Sequence, residues 1–114
     1  LINGQCYYMA RNIQTVPIDQ NLFINGSHCM VNLQSKYLGI FEKDSSRGVV
    51  CRIDSFPYVL IWSQPGMPHF VCIEPWNSIP SHENDSTIWE EKAAAAILNP
   101  GEKWDTTMST SFVR

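Results

Sequence analysis

The residue best suited to catalysis is Glu74, a carboxylate that closes the apolar run 70–73. Side chains alternate across a β-strand, so Phe70, Cys72 and Glu74 are predicted to share one face of a sheet. A carboxylate among apolar side chains is costly unless it is paired or used, and a partly enclosed one suits the role of general base. The residues alone leave open the alternative, an exposed and solvated glutamate at the end of a strand.

The four cysteines are spread evenly along the chain, as Cys6, Cys29, Cys51 and Cys72. No two of them form a C-x-x-C pair, which excludes a locally assembled zinc knuckle or a thioredoxin-type redox motif. Each lies in an apolar, strand-like run, where a free cysteine behaves as a small buried hydrophobe. We therefore expect reduced, structural cysteines and a cytoplasmic location, with two disulfides as the alternative that the even count permits. Neither a bound metal nor a cofactor is expected.

Short runs rich in β-forming residues recur along the chain and must position Glu74. Turn residues separate them, notably Asn25-Gly26-Ser27 and the polar segment 44–48. Strands are predicted at 5–9, 13–18, 28–33, 36–41, 49–54, 56–63 and 69–74. The run 56–63 is the most apolar and is predicted to be buried on both faces.

The C-terminal region carries conflicting signals. Segment 88–98 contains four consecutive alanines, whose propensity favours a helix. The turn residues at 99–102 and the Thr-, Ser- and aromatic-rich segment 104–113 favour instead a hairpin between 94–98 and 103–113. With that hairpin the chain would have about eight or nine strands, at the spacing of a β-sandwich or barrel. The predicted fold class is all-β.

Composition narrows the range of partners. The formal net charge of −3 argues against nucleic acid, because binding phosphates requires clustered Lys and Arg. The longest apolar run, 93–98, is far too short to span a bilayer, so no membrane partner is expected.

Two segments carry a family resemblance: FPYVLIWSQPG at 56–66 and FVCIEPW at 70–76. Together they resemble the aldose 1-epimerase (galactose mutarotase-like) superfamily, and in particular its LacX-like branch. Flanking segments at 16–18, 22–23, 33–36, 91–92 and 98–102 agree, so the resemblance covers nearly the whole chain. It implies a large antiparallel β-sandwich, with residues 1–114 as the C-terminal part of a single domain.

The activity implied by the resemblance is the interconversion of the α and β anomers of a free sugar or sugar phosphate. In this family a glutamate just before a proline takes the proton from the anomeric hydroxyl, and Glu74 before Pro75 matches it. A histidine protonates the ring oxygen, the ring opens, and closure after rotation gives the other anomer. Acid and base must flank the same sugar.

Three departures from the family pattern stand out. The histidine acid lies in an upstream His-Pro motif, and no His-Pro dipeptide occurs here. An upstream substrate-binding arginine also has no match, and Asn25-Gly26-Ser27 stands where many relatives have an aspartate. His28 and His82 could approach the site, whereas strand parity places His69 on the face opposite to Glu74. Surface roles are the alternative for these histidines.

Residues near Glu74 are candidates for binding the sugar. Trp76 and Trp62 offer flat apolar faces to a sugar ring, although core packing is the alternative for Trp62. Asn77 could donate hydrogen bonds to hydroxyls, or could simply be a turn residue. The expected partners are a sugar and an N-terminal portion of the same protein. A non-catalytic carbohydrate-binding sandwich and an inactive fragment remain as alternative functions.

Overall fold

The protein is built almost entirely from β-strands in the computed structural model, which describes residues 5–9, 11–19, 21–66 and 70–114. These residues form six strands and one short 3₁₀ helix: β1 (His28–Val31), β2 (Tyr37–Phe41), β3 (Gly48–Arg52), β4 (Tyr58–Trp62), β5 (Cys72–Trp76), the helix Trp89–Glu91, and β6 (Ser109–Val113). Antiparallel pairing gives two three-stranded sheets, β1-β4-β5 and β2-β3-β6. The predicted all-β class is confirmed.

Strand β4 is the centre of the first sheet, with β1 on one side and β5 on the other. Its middle residues, Val59, Leu60 and Ile61, are at most 9% exposed. Side chains alternate, so Val59 and Ile61 point to one face and Leu60 to the other. The prediction of a strand buried on both faces is therefore confirmed for these residues.

Strands β2 and β3 form a tight hairpin around the predicted polar turn. Asp44 takes a left-handed φ of 58°, and the Glu42 N–H donates to the Arg47 carbonyl at 2.9 Å. At Gly48 a Cβ atom would lie 2.5 Å from the carbonyl oxygen of Ile40. A side chain at that position would push the two strands apart, so the close approach depends on glycine.

The core lies between the two sheets. Its buried residues are Cys51, Ile53 and Val59, and the partly buried Met30, Leu38 and Ile73 pack against them. Met30 lies opposite Val59 in the first sheet, and Leu38 lies opposite Cys51 in the second. The two sheets therefore pack as a sandwich through these faces, while Leu60 points away from this core.

Two strands predicted in the N-terminal region are absent. Segments 5–9 and 13–18 contain no strand among the described residues, and Tyr8 and Ile13 are 75% and 56% exposed. Residues with high strand propensity form a strand only where a neighbouring strand can pair with them and an apolar surface can cover them. No described strand pairs with either of these segments.

The predicted C-terminal hairpin is also wrong. Strand β6 forms within 103–113, but its partner is β3, not 94–98. Residues 94–98 are irregular, with Ala94 at a left-handed φ of 59°, and the alternative long helix is reduced to Trp89–Glu91. The described residues thus hold six strands instead of eight or nine. No helix among them is long and apolar enough to cross a membrane.

The core position of Ile53 generates a stability prediction. Ile53 is 2% exposed, so Ile53→Ala should lower the free energy of unfolding by about 2–5 kcal/mol through lost burial and a cavity. Ile88, 51% exposed, is the matched control, and Ile88→Ala should change stability by about 0.5 kcal/mol or less. Urea denaturation measures both; equal losses would contradict the assigned core.

Candidate functional site

Glu74 lies in the middle of β5, an edge strand of the β1-β4-β5 sheet. It is directly opposite Leu60 of β4, which in turn is opposite Cys29 of β1. Paired residues of an antiparallel ladder project from the same face, so the carboxylate lies beside an apolar row on the face turned away from the core. Glu74 is partly buried there.

Both candidate tryptophans share this face with Glu74. Trp76 is two residues along β5, and Trp62 lies opposite Cys72, on the diagonal from Glu74. Diagonal neighbours are about 7–8 Å apart at Cα, within reach of an aromatic ring. The Trp62 ring also makes an edge contact with Phe70, with centroids 5.6 Å apart. Glu74 is thus flanked on its own face by two indole rings.

Asn77 is separated from this group. It follows the last residue of β5, and its amide nitrogen donates to the Thr106 hydroxyl at 3.4 Å. Thr106 lies just before β6, so this contact joins the end of the first sheet to the C-terminal segment. The structure therefore brings together three of the four candidate site residues and places Asn77 in different surroundings.

The Glu74 carboxylate has no hydrogen-bond or ion-pair partner among the side chains that the structure describes. The carboxylates of Asp19, Asp54, Asp85 and Glu102, by contrast, all accept hydrogen bonds from neighbouring groups. An unengaged carboxylate has its acceptor capacity free for a ligand hydroxyl. The Glu74 carboxylate oxygens are thus available as hydrogen-bond acceptors on this face.

The two described histidines lie in β1 and in the loop after β5. His28 lies in β1 opposite Ile61, which projects from the core side of the sheet. Its ring is hydrogen-bonded to the Tyr7 hydroxyl and to the Leu22 carbonyl. His82 lies in the loop after β5, where its Nδ1 accepts from the Asn84 N–H at 3.1 Å. His69, the third histidine, lies outside the described residues.

The cysteines form no disulfide and differ in surroundings. Cys51 is buried in the core as expected, but Cys6 is exposed, and the prediction of a buried structural role is wrong for it. Cys29 lies in the same cross-strand row as Glu74, and burial, with a smaller contribution from Cys6, raises the pKa of its thiol. No cluster of three or more potential metal ligands occurs in the described part of the chain.

A groove of about 350 Å³, lined in part by Asn77, lies beside β3 and the segment before β6. Its other lining residues include Arg52, Asp54, Trp104 and Asp105. Arg52 donates two hydrogen bonds to Asp54, at 2.7 and 2.9 Å, which hold the pKa of that carboxyl below its usual range. None of these four was predicted as a site residue. The signal available was the placement of two opposite charges, Arg52 and Asp54, two residues apart at the end of a predicted strand.

Comparison with known proteins gives a distant relationship. Over 89 residues, 78% of this chain, the sequence is 25% identical to two proteins of Lactococcus lactis subsp. lactis, "Protein LacX, plasmid" and "Protein LacX, chromosomal". The matched region spans 30% of the length of each relative. No protein-family model matches the chain, and no solved structure matches it. The chain is thus distantly similar to LacX.

The Arg52–Asp54 contact gives a prediction for pH dependence. The Arg52 side chain lowers the pKa of Asp54 in the folded protein. The pair therefore stabilises the fold at pH values above the pKa of an unfolded aspartate. This stabilisation is lost as the pH falls through the pKa of Asp54 in the folded protein. Arg52→Gln should raise the Asp54 pKa towards its usual value. Carbon-detected NMR titration of the side-chain carboxyl measures it, and Arg47→Gln, at an exposed and looser pair with Glu42 (3.7 Å), is the control. An unchanged Asp54 titration in Arg52→Gln would contradict the assigned pairing.

Proposed function

We propose that the protein interconverts the anomers of a sugar and that Glu74 is the general base. One observation carries the proposal: a partly buried carboxylate with no partner among the described side chains lies between Trp62 and Trp76 on one sheet face. The resemblance of segments 56–66 and 70–76 to the aldose 1-epimerase superfamily and the distant similarity to LacX support it.

The proposed chemistry requires one base and one acid. The Glu74 carboxylate accepts the proton of the anomeric hydroxyl as an acid protonates the ring oxygen, so that the bond between C1 and the ring oxygen breaks and an open-chain aldehyde forms. Rotation about C1–C2 presents the other face of the carbonyl. Reversal of both proton transfers then closes the ring to the other anomer and restores Glu74.

The two tryptophans would hold the sugar against the base. Sugar rings have apolar C–H faces, and indole rings provide large apolar surfaces with little conformational entropy to lose. Trp76 is on the same strand as Glu74 and Trp62 is on the neighbouring one, so a ring between them would have its anomeric hydroxyl near the carboxylate. The choice between a free and a phosphorylated sugar would depend on residues that contact the sugar from the side opposite to this sheet face.

The acid would come from a further portion of the same protein. His28 lies on the core side of the sheet, the His82 ring accepts a hydrogen bond from the Asn84 N–H, and the chain matches 30% of the length of its LacX relatives. Many large apolar side chains are also exposed at sheet edges and in irregular segments, among them Phe112, Phe41, Ile97 and Leu98. A larger sandwich would cover such surfaces, and we propose this covering portion as the partner of the chain.

The substitution Phe112→Ser tests whether a further portion of chain packs on β6. It is 82% exposed on β6, so in isolation Phe112→Ser would change stability by about 0.5 kcal/mol or less. If further chain packs on β6 in the intact protein, the same substitution should cost about 2–4 kcal/mol of unfolding free energy, measured by urea denaturation. Ser111→Ala, on the opposite face of the strand, is the control. A negligible loss for Phe112→Ser in the intact protein would contradict the covering of this strand.

A second candidate function is carbohydrate binding without catalysis. It is favoured by the position of His28, whose ring is on the core side of the sheet and engaged with Tyr7 and Leu22. In that case the two tryptophans and Glu74 would hold a sugar without an acid on the other side. Sugar binding with no acceleration of anomer exchange in the intact protein would identify this function.

Substitution of the base tests the enzymatic proposal. With the intact protein, Glu74→Gln should slow the equilibration of freshly dissolved α-galactose or α-glucose by a factor of about 10²–10⁴, because it removes a positioned general base while keeping size and polarity. Polarimetry, or exchange between the anomeric proton signals in NMR, measures the rate. Glu90→Gln, at an exposed residue of the 3₁₀ helix, should leave the rate unchanged. An undiminished rate in Glu74→Gln would exclude this residue from the mechanism.

A further inference from the structure

We propose that the groove beside β3 and β6 is a second carbohydrate-binding site, selective for uncharged sugars and separate from the Glu74 face. It lies where the end of β3, the residue after β5 and the segment before β6 meet. Its strand residues, Arg52 and Ser109, belong to the β2-β3-β6 sheet, and Asn77 follows the last residue of β5. Its volume of about 350 Å³ falls at the lower end of the range of small-molecule sites, roughly 300–1,000 Å³.

The apolar element of the groove is Trp104. Its side chain is 51% exposed although it is the largest apolar group in the lining. An exposed indole offers a rigid flat surface to the C–H face of a pyranose, and its ring N–H is a hydrogen-bond donor at the rim of that surface. A wall of this kind favours a ring-shaped ligand over an extended polar chain.

The polar elements of the groove are held by hydrogen bonds to one another. Arg52 donates through Nε and Nη2 to the two carboxylate oxygens of Asp54, which fixes both side chains in one plane. The guanidinium keeps Nη1 hydrogens free, and Asp54 keeps further lone pairs. The Asn77 amide donates to Thr106, which leaves its carbonyl oxygen as an acceptor. Adjacent sugar hydroxyls each donate and accept, so paired donors and acceptors held in fixed positions complement them.

The charge of the groove selects among sugars. One arginine faces two aspartates, Asp54 and Asp105, so the lining carries net negative charge, and the arginine is already neutralised by its bidentate contact. A phosphate or carboxylate on the ligand would be repelled. The ligand class is therefore a neutral hexose or a neutral glycan end, and not a sugar phosphate or a nucleotide.

The experiment uses the intact protein labelled with 5-fluorotryptophan, in which the Trp104 resonance is the one missing from Trp104→Phe. Titration with galactose or glucose should shift this resonance saturably, with a dissociation constant on the order of millimolar for a ligand of this size. The 6-phosphates of the same sugars should bind at least about tenfold more weakly. Asp54→Ala should weaken galactose binding by about tenfold, because it removes the carboxylate that holds the Arg52 guanidinium and that accepts hydrogen bonds from the sugar.

Controls separate this site from the Glu74 face. Trp89, 59% exposed and outside the groove, should show no saturable shift. Asp54→Ala, which keeps the Trp104 resonance, should weaken the groove titration while anomer exchange proceeds at the unmodified rate. Three results would overturn the second site without affecting the role proposed for Glu74. The Trp104 resonance could fail to shift at about 50 mM sugar, or the 6-phosphates could bind as tightly as the neutral sugars or more tightly. Further chain could also be found to shield Trp104 from solvent.

Discussion

The pairing of β5 with β4, which sets Glu74 opposite Leu60, is the constraint on which the site depends. Leu60 is 4% exposed and lies on a strand that is buried on both faces, so its position admits little movement. A shift of one residue in this ladder would turn every β5 side chain to the opposite face. The carboxylate would then face the core beside Val59, and Ile73 would be exposed in its place. The same choice of register therefore packs Ile73 against the core and places Glu74 on the opposite face.

The same constraint explains which candidate residues come together. Trp62 and Trp76 are an even number of ladder steps from the Leu60–Glu74 pair, so they share its face, whereas Asn77 falls after the strand and contacts Thr106. Pro75 is tolerated within β5 because β5 is an edge strand of the described sheet. No described strand pairs with its outer edge, so a missing N–H on that side removes no hydrogen bond between strands. A proline directly after Glu74 is thus compatible with a strand that holds the carboxylate in position.

Much of the fold could be predicted from the sequence where local pattern and tertiary pairing agree. The apolar run 56–63, the polar turn at 44–48 and the alternation around Glu74 all correspond to elements of the structure. The N-terminal segments and 94–98 could not be predicted, because propensity says nothing about whether a strand finds a partner. β6 pairs with β3, more than fifty residues away in the chain, and no local turn signal encodes that. The Arg52–Trp104 groove was missed for the same reason, since its lining is assembled by that long-range pairing.

The most direct test of the role of Glu74 is a crystal structure of the intact protein with galactose or glucose bound. We expect a sugar ring between Trp62 and Trp76, with a Glu74 carboxylate oxygen about 2.6–3.2 Å from the anomeric oxygen. A sugar bound only elsewhere on the molecule, with the Glu74 carboxylate directed to solvent or held by another protein group, would contradict this role.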